Sequence, residues 1–360
     1  MNNIANPMET LGFEQSFLEP LGPGERDGLD LGRVMAVHKD SYVLNNGEKD
    51  VYAELIGKML FAATSPLDFP TVGDWVLGTF IDGGEFCLVH KVLPRKSLLK
   101  RKTAGKKVDF QLIAANIDVA FIVQSLDANF HLGRLERYVV MAKEGQIAPV
   151  VLLSKSDLLP ETEIEERVRQ IQEVMPDLRV RAFSNETGEG LEEVQSLLEP
   201  RKTYCLLGSS GVGKTTLLNH LVGDPVFATK AVREKDQKGR HTTTHRQLIV
   251  LESGAMLIDT PGMRELGNFS VETGIDETFS EIVELSAECR FGDCSHTNEK
   301  GCAVLRAVKD GEIPEKRYQN YLKMKREAAF NEMSYAEKRH KDKEFAKMVK
   351  TVMKGKKNRR

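Results

Sequence analysis

Eight residues, Gly208-Ser-Ser-Gly-Val-Gly213-Lys214-Thr215, separate the apolar run TYCLL from the helical run TLLNHLV that begins at Thr216. A strand that turns through glycines into a helix aims successive backbone N–H groups at one point, and the helix N-terminus adds partial positive charge there. That is a phosphate cradle. Gly208, Ser209, Ser210, Gly211, Val212 and Gly213 wrap the phosphates, the Lys214 ammonium neutralises the β and γ oxygens, and the Thr215 hydroxyl reaches Mg²⁺, with Thr216 next in the same turn. A nucleoside triphosphate site is expected.

Such a loop belongs at the carboxyl edge of a parallel sheet, and the flanking sequence supplies one. VAFIVQSL (119–126), PVVLLS (149–154), RVRAFS (179–184), TYCLLG (203–208) and AMLID (255–259) read as buried strands. Helical runs such as LGRLERYVVMAKEG and EIEERVRQIQEVM lie between several of them, which is α/β alternation with helices on both faces. Upstream the period changes. GRVMAVH, SYVLNN, DVYAEL, DWVLGTF and EFCLVHKVL are short alternating runs, with Asn46-Gly47 as a hairpin signal, and five such strands suggest a small oligonucleotide-binding (OB-fold) β-barrel. With 360 residues, 41% hydrophobic and 29% charged, the chain is a multidomain folded protein, and wholesale disorder is excluded. The expected layout is a flexible acidic extension over 1–30, an OB-fold barrel over 31–105, an α/β domain over 106–275, a Cys/His module over 276–325 and a basic helical tail over 326–360.

Further motifs extend the phosphate loop. Asp259-Thr260-Pro261-Gly262 ends a strand, where the carboxylate of Asp259 can hold the metal's water shell and the Gly262 N–H can reach the γ-phosphate. Gly239-Arg-His241-Thr-Thr243-Thr reads as a mobile segment ordered by Mg²⁺ through a threonine, here Thr243. Ser154-Lys155-Ser156-Asp157, also at a strand end, offers a carboxylate that accepts from guanine's adjacent N–H donors and a lysine stem that covers the ring. Ser184-Asn185 opens SNETG, with a backbone N–H for the base oxygen. Cys289, Cys294, His296 and Cys302 supply three thiolates and one imidazole, the complete shell of a structural Zn²⁺ with no open position for water. Cys87 and Cys205 lie in apolar runs and read as buried small hydrophobes.

Along the chain the base-reading motifs come first, the phosphate loop next, and the threonine segment and DTPG last. This order, with a barrel before it and the Cys/His module after it, resembles the RsgA (YjeQ/YloQ) family of circularly permuted GTPases over roughly residues 31–325. The resemblance implies GTP hydrolysis with Mg²⁺, one structural Zn²⁺, and binding to the small ribosomal subunit and its rRNA late in assembly. It departs from the common GTPase pattern at Ser154, where Asn or Thr is usual, a change expected to loosen nucleotide affinity while keeping guanine choice. Met263 stands where many GTPases place a water-orienting glutamine. His241 is the candidate substitute, and in the family the histidine of GRHTTT-type segments is implicated in hydrolysis; a solvent-exposed loop histidine is the other reading.

Formal charge is only −2, yet residues 311–360 hold sixteen Lys/Arg against seven acids, and 95–107 hold seven basic residues with no acid. Both stretches suit RNA phosphates, with affinity that falls steeply with salt; for the last thirty residues a solvated charged tail is an equal reading. No apolar stretch is long enough to span a bilayer and no secretory signal is evident, so a cytoplasmic, membrane-free protein, monomeric by default, is expected. A GTPase serving tRNA or translation, or an RNA scaffold that seldom cleaves GTP, remain open alternatives.

Overall fold

The structure is a computed structural model that describes residues 7–39, 41–102, 110–223, 246–259 and 272–332. A short helix α1 (Pro7–Thr10) precedes the strands β1 (Asp30–Val37), β2 (Tyr42–Asn45) and β3 (Asp50–Leu55), helix α2 (Gly57–Ala62), and strands β4 (Trp75–Ile81) and β5 (Phe86–Val92). Pairing runs β1-β2-β3-β5-β4 and returns from β4 to β1, so the five strands close into a barrel. Closure explains the alternation read in the sequence: Val34, Leu44, Val51, Ala53, Val76, Cys87 and Val89 fill one interior. Only the β3–β5 pair is parallel, as an OB-type barrel requires.

Next come a hairpin of β6 (Leu98–Lys102) and β7 (Phe110–Ala115), and then the α/β unit. Its elements are β8 (Val119–Ser125), α3 (Leu132–Glu144), β9 (Ala148–Ser154), α4 (Glu161–Val174), β10 (Arg179–Phe183), α5 (Leu191–Ser196), β11 (Thr203–Leu207), α6 (Lys214–Val222), β12 (Gln247–Val250) and β13 (Met256–Asp259). Strand order is β10-β9-β8-β11-β13-β12, parallel except for the β12–β13 pair. Every strand anticipated for this sheet is present. Four helices follow: α7 (Glu272–Thr278), α8 (Ser280–Ser286), α9 (Ala303–Asp310) and α10 (Glu315–Glu332). No helix among the described residues is long and apolar enough to cross a membrane.

Three features differ from the sequence reading. The stretch taken as a flexible extension is packed from residue 7 onward: Met8, Leu11 and Phe17 are buried with Trp75, Leu77 and Leu93. The Phe13 ring meets the Trp75 ring edge-on at 5.1 Å. Apolar residues scattered among Gly and Pro carry no period, which is why composition hid this contact. The described part of the basic stretch, 95–102, is not a free linker either. Arg95 forms a pair with Asp74, a carboxylate with no exposed surface, at 2.8 Å, Lys96 reaches Asp118 at 2.8 Å, and 98–102 is strand. Finally, barrel and α/β sheet are continuous, because β1 also pairs with β12 at Ala36↔Gln247.

Arg33 lies at that junction, buried beneath Trp75 with its guanidinium carbon 5.1 Å from the ring centre. It donates to the Leu11 carbonyl and, at 2.7 Å, to the Thr203 hydroxyl on β11. Burial pulls this guanidinium down to about 10, so it stays charged near neutrality, facing Asp118 and Asp74. Phe17→Ala, harmless if residues 1–30 were a loose tail, is expected to cost about 3 kcal/mol in a chemical-denaturation curve, the usual penalty for emptying a buried aromatic site.

Candidate functional site

The phosphate loop has the geometry its glycines permit. Gly208, Gly211 and Gly213 hold φ values of 142°, 83° and 91°, left-handed backbone that L side chains rarely adopt. A Cβ on Gly208 would lie 2.2 Å from the Val123 carbonyl oxygen, so the loop leaves β11 pressed against β8. Gly213 caps α6, whose first turn carries Lys214, Thr215 and Thr216. Lys214 Nζ donates to the carbonyls of Gly208 and Ser209, both at 2.6 Å, which stretches the ammonium across the loop. Ser209 is half-buried, and Ser210 and Gly211 are exposed at the tip.

The two motifs expected to read the base converge on this loop because β9 and β10 end at the same sheet edge. Ser154, fully buried, donates its hydroxyl to the Val212 carbonyl at 2.7 Å. Asn185 Nδ2 donates to the Gly213 carbonyl at 3.2 Å. Ser154 thus ties the loop after β9 to the phosphate loop, and the departure from Asn or Thr keeps a direct bond between the two. Lys155, held left-handed at φ 63°, places its ammonium 2.7 Å from Asp127. Burial acts to raise the Asp127 carboxyl, but donors from Lys155, the Asn129 amide and Ser125 outweigh it and hold it well below the usual carboxylate range. The exposed Asp157 accepts from the buried Ser184 hydroxyl, which itself accepts the amides of Glu186 and Thr187 at 3.1 and 3.2 Å. Asp127 was missed in the sequence; its only signal was a carboxylate just past the end of a buried strand.

A ligand between these motifs has polar atoms to meet. Asn185 Oδ1 and Ser156 Oγ are buried with no hydrogen-bond partner among the described residues, a cost that a polar ligand can relieve. Asp259 ends β13 beside β11, whereas His241, Thr243 and Gly262 lie outside the described residues.

Cys289, Cys294, His296 and Cys302 come together with all four ligand atoms within 4.8 Å of one another. Cys289 Sγ lies 3.8 Å from Cys302 Sγ and 3.6 Å from His296 Nδ1, and Cys302 Sγ lies 3.4 Å from that nitrogen. A tetrahedral zinc with Zn–S of about 2.3 Å and Zn–N of about 2.05 Å needs ligand separations of about 3.5–3.8 Å, so this donor set could hold one Zn²⁺. The other ring nitrogen of His296 is 3.1 Å from the Ser286 hydroxyl, a contact that fixes the ring with Nδ1 inward. Burial lowers the His296 imidazole from its ordinary value, favouring the neutral form that ligates. Cys87 and Cys205 are buried in the barrel and the sheet, away from this cluster.

Comparison with known proteins agrees with this geometry. Residues 92–269 match the family model described as RsgA GTPase. Over 357 residues, 99% of this chain and 96% of the relative, the sequence is 39% identical to small ribosomal subunit biogenesis GTPase RsgA 2 of Vibrio parahaemolyticus. The chain belongs to the RsgA GTPase family. It is therefore a GTP-hydrolysing enzyme, and the family implies Mg²⁺ with the nucleotide. YjeQ from Thermotoga maritima superposes with a TM-score of 0.61 at 29% identity, covering 84% of this chain and 99% of that one. YloQ, described as a circularly permuted GTPase, matches in fold with the same score of 0.61 at 22% identity, covering 87% and 99%.

Two outcomes follow from the contacts. Ser154→Ala removes a buried hydrogen bond worth about 1 kcal/mol and should weaken GDP binding about fivefold in a fluorescent-nucleotide titration. Cys294→Ser should leave the purified chain nearly zinc-free by atomic absorption and open residues 287–302 to protease, since a structural site folds its module.

Proposed function

We propose that this protein hydrolyses GTP on the small ribosomal subunit as that subunit matures, the role carried in the names of its relatives. The observation that carries the reading is the convergence of Ser154, Asn185 and the phosphate loop on one sheet edge, within a chain matched almost end to end by a small-subunit biogenesis GTPase.

In this reading Asp157 accepts guanine's N–H donors, the Lys155 stem covers the ring, and Ser156, Ser184 and Asn185 shape the base pocket. Residues 208–213 and Lys214 hold the phosphates. Thr215 and Asp259 hold Mg²⁺, Thr216 completes the helix turn, and Gly262 meets the γ-phosphate. Thr243 orders its segment on the metal, and His241 orients the attacking water in place of the glutamine that Met263 replaces. The barrel and the zinc module contact rRNA. Since Arg95 and Lys96 are committed to internal pairs, the basic hairpin contributes through Lys100 and Arg101, and the C-terminal side through the charged α10. The protein acts as a cytoplasmic monomer, with GTP hydrolysis releasing it from the subunit.

The test is turnover measured alone, with purified small subunits, with large subunits and with tRNA. Slow basal turnover should rise at least tenfold with small subunits only. His241→Ala should abolish that rise while leaving GDP affinity intact, and Asp157→Asn should lower the preference for guanine over adenine by about tenfold or more. Stimulation by large subunits or by tRNA alone would overturn the assembly reading, and no stimulation by any partner would leave a GTP-binding scaffold.

A further inference from the structure

Among the described residues, helix α3 has side chains that reach both the phosphate loop and the helices after β13. At its first turn, capped by His131 Nδ1, Arg134 sends Nη1 to the Ser209 hydroxyl at 3.2 Å. Two residues on, Glu136 is buried and forms a pair with Arg317 of α10 at 2.6 Å. Arg317 is buried too: its Nε pairs with Glu281 of α8, its Nη2 donates to the Thr278 carbonyl at 2.8 Å, and its guanidinium sits 4.6 Å above the Phe279 ring. Asn320 Nδ2 bonds both Glu136 and the Gly133 carbonyl. Arg137 meets Glu327 in a two-pronged contact, one arm 2.9 Å.

At the far end of the helix, α7 presses in closely. A Cβ on Gly274 would lie 2.2 Å from the Val140 carbonyl oxygen, and the Gly274 amide donates to Glu144 at 2.9 Å. Val140 itself belongs to the core of the C-terminal helices rather than to that of the sheet. One fully buried pair, Glu136 with Arg317, and the half-exposed partners Glu281 and Glu327 around it are more than the apolar packing of a helix needs. A buried ion pair with several satisfied donors fixes one geometry and penalises every other.

We propose that Arg134 is a positioning residue for the phosphate loop and that the Glu136–Arg317 and Arg137–Glu327 contacts set its position, so that the seating of the C-terminal module tunes the grip on guanine nucleotide. The inference rests on the phosphate-loop reading above. Because α3 is a rigid rod of thirteen residues, a shift of α10 moves Arg134 with it, since Glu136 and Arg137 lie within one turn of it. The coupling is reciprocal: nucleotide that tightens the loop also favours the seated module.

The test uses the full-length protein with its zinc, and fluorescent GDP and a fluorescent non-hydrolysable GTP analogue as probes. Arg134→Ala should weaken binding at least about fivefold, and Arg137→Glu, which touches no part of the loop, should do the same, the lower end of ordinary coupling between sites. Arg134→Ala with Arg137→Glu should be no weaker than either alone, because both act on the same contact. The charge exchange Arg137→Glu with Glu327→Arg should restore affinity, and a melting curve on each variant reports folding separately. Should Arg137→Glu fail to fold, the half-exposed Glu327→Gln carries the same expectation with a smaller, about twofold, effect. Normal affinity in Arg137→Glu and Glu327→Gln with only a lowered melting temperature would overturn the inference, as would additive losses in the double variant. A wild-type chain that takes up no guanine nucleotide would remove both the inference and the reading beneath it.

Discussion

Two hydrogen bonds close the edge of the sheet around the phosphate loop: Ser154 to the Val212 carbonyl and Asn185 to the Gly213 carbonyl. They join three segments that the chain presents far apart, and they form because β9, β10 and β11 run parallel and open on one edge. The parallel register does this: Ser125 faces Ser154 and Ser154 faces Phe183, while Leu207 faces Ile122, three residues short of Ser125, which leaves the phosphate loop to fill the edge beyond β11. Ligands of open α/β sheets bind at this carboxyl edge, so the order in which strands enter the chain is free provided that the edge is kept. Circular permutation is tolerated for that reason. What it changes is which modules lie next to the nucleotide site.

On one side lies the barrel, and the junction leaves it little freedom. The sheet runs on from β12 to β1, and Arg33 crosses the seam beneath Trp75 to reach Thr203, a residue of the strand that feeds the phosphate loop. Asp118 accepts from the Thr203 amide and pairs with Lys96, so the start of β11 is fixed from both directions. A surface presented by the barrel therefore keeps a defined orientation to the nucleotide site.

On the other side the C-terminal helices rest on α3. Their contact is made of buried charges rather than of apolar area alone: Glu136 and Arg317 are each about nineteen-twentieths hidden or more, and burial pushes the Glu136 carboxyl up even though Arg317 and Asn320 draw it down. Such a contact is weak as glue and strong as a register device, because separating its members leaves charges without partners. The zinc ligands act at shorter range, joining the chain after α8 to the start of α9, where Cys302 also caps the helix.

The amino-acid sequence determined the chemistry by type and spacing. Glycines at 208, 211 and 213 are the residues that left-handed backbone demands, three thiols and an imidazole within fourteen positions fit one tetrahedral ion, and alternation with period two marked all five barrel strands. These are local signals, each decided within a strand, a turn or a short loop. Only tertiary structure decided the partners of side chains whose own neighbourhood is silent. In sequence Ser154 is a departure, Asp127 has no motif, Arg95 and Lys96 have no partner nearby, and residues 7–18 have no period; in the fold they meet Val212, Lys155, Asp74 and Asp118, and the Trp75 surface. A charge or a ring acquires meaning from what it faces, and facing is set by long-range pairing that periodicity within a segment does not encode.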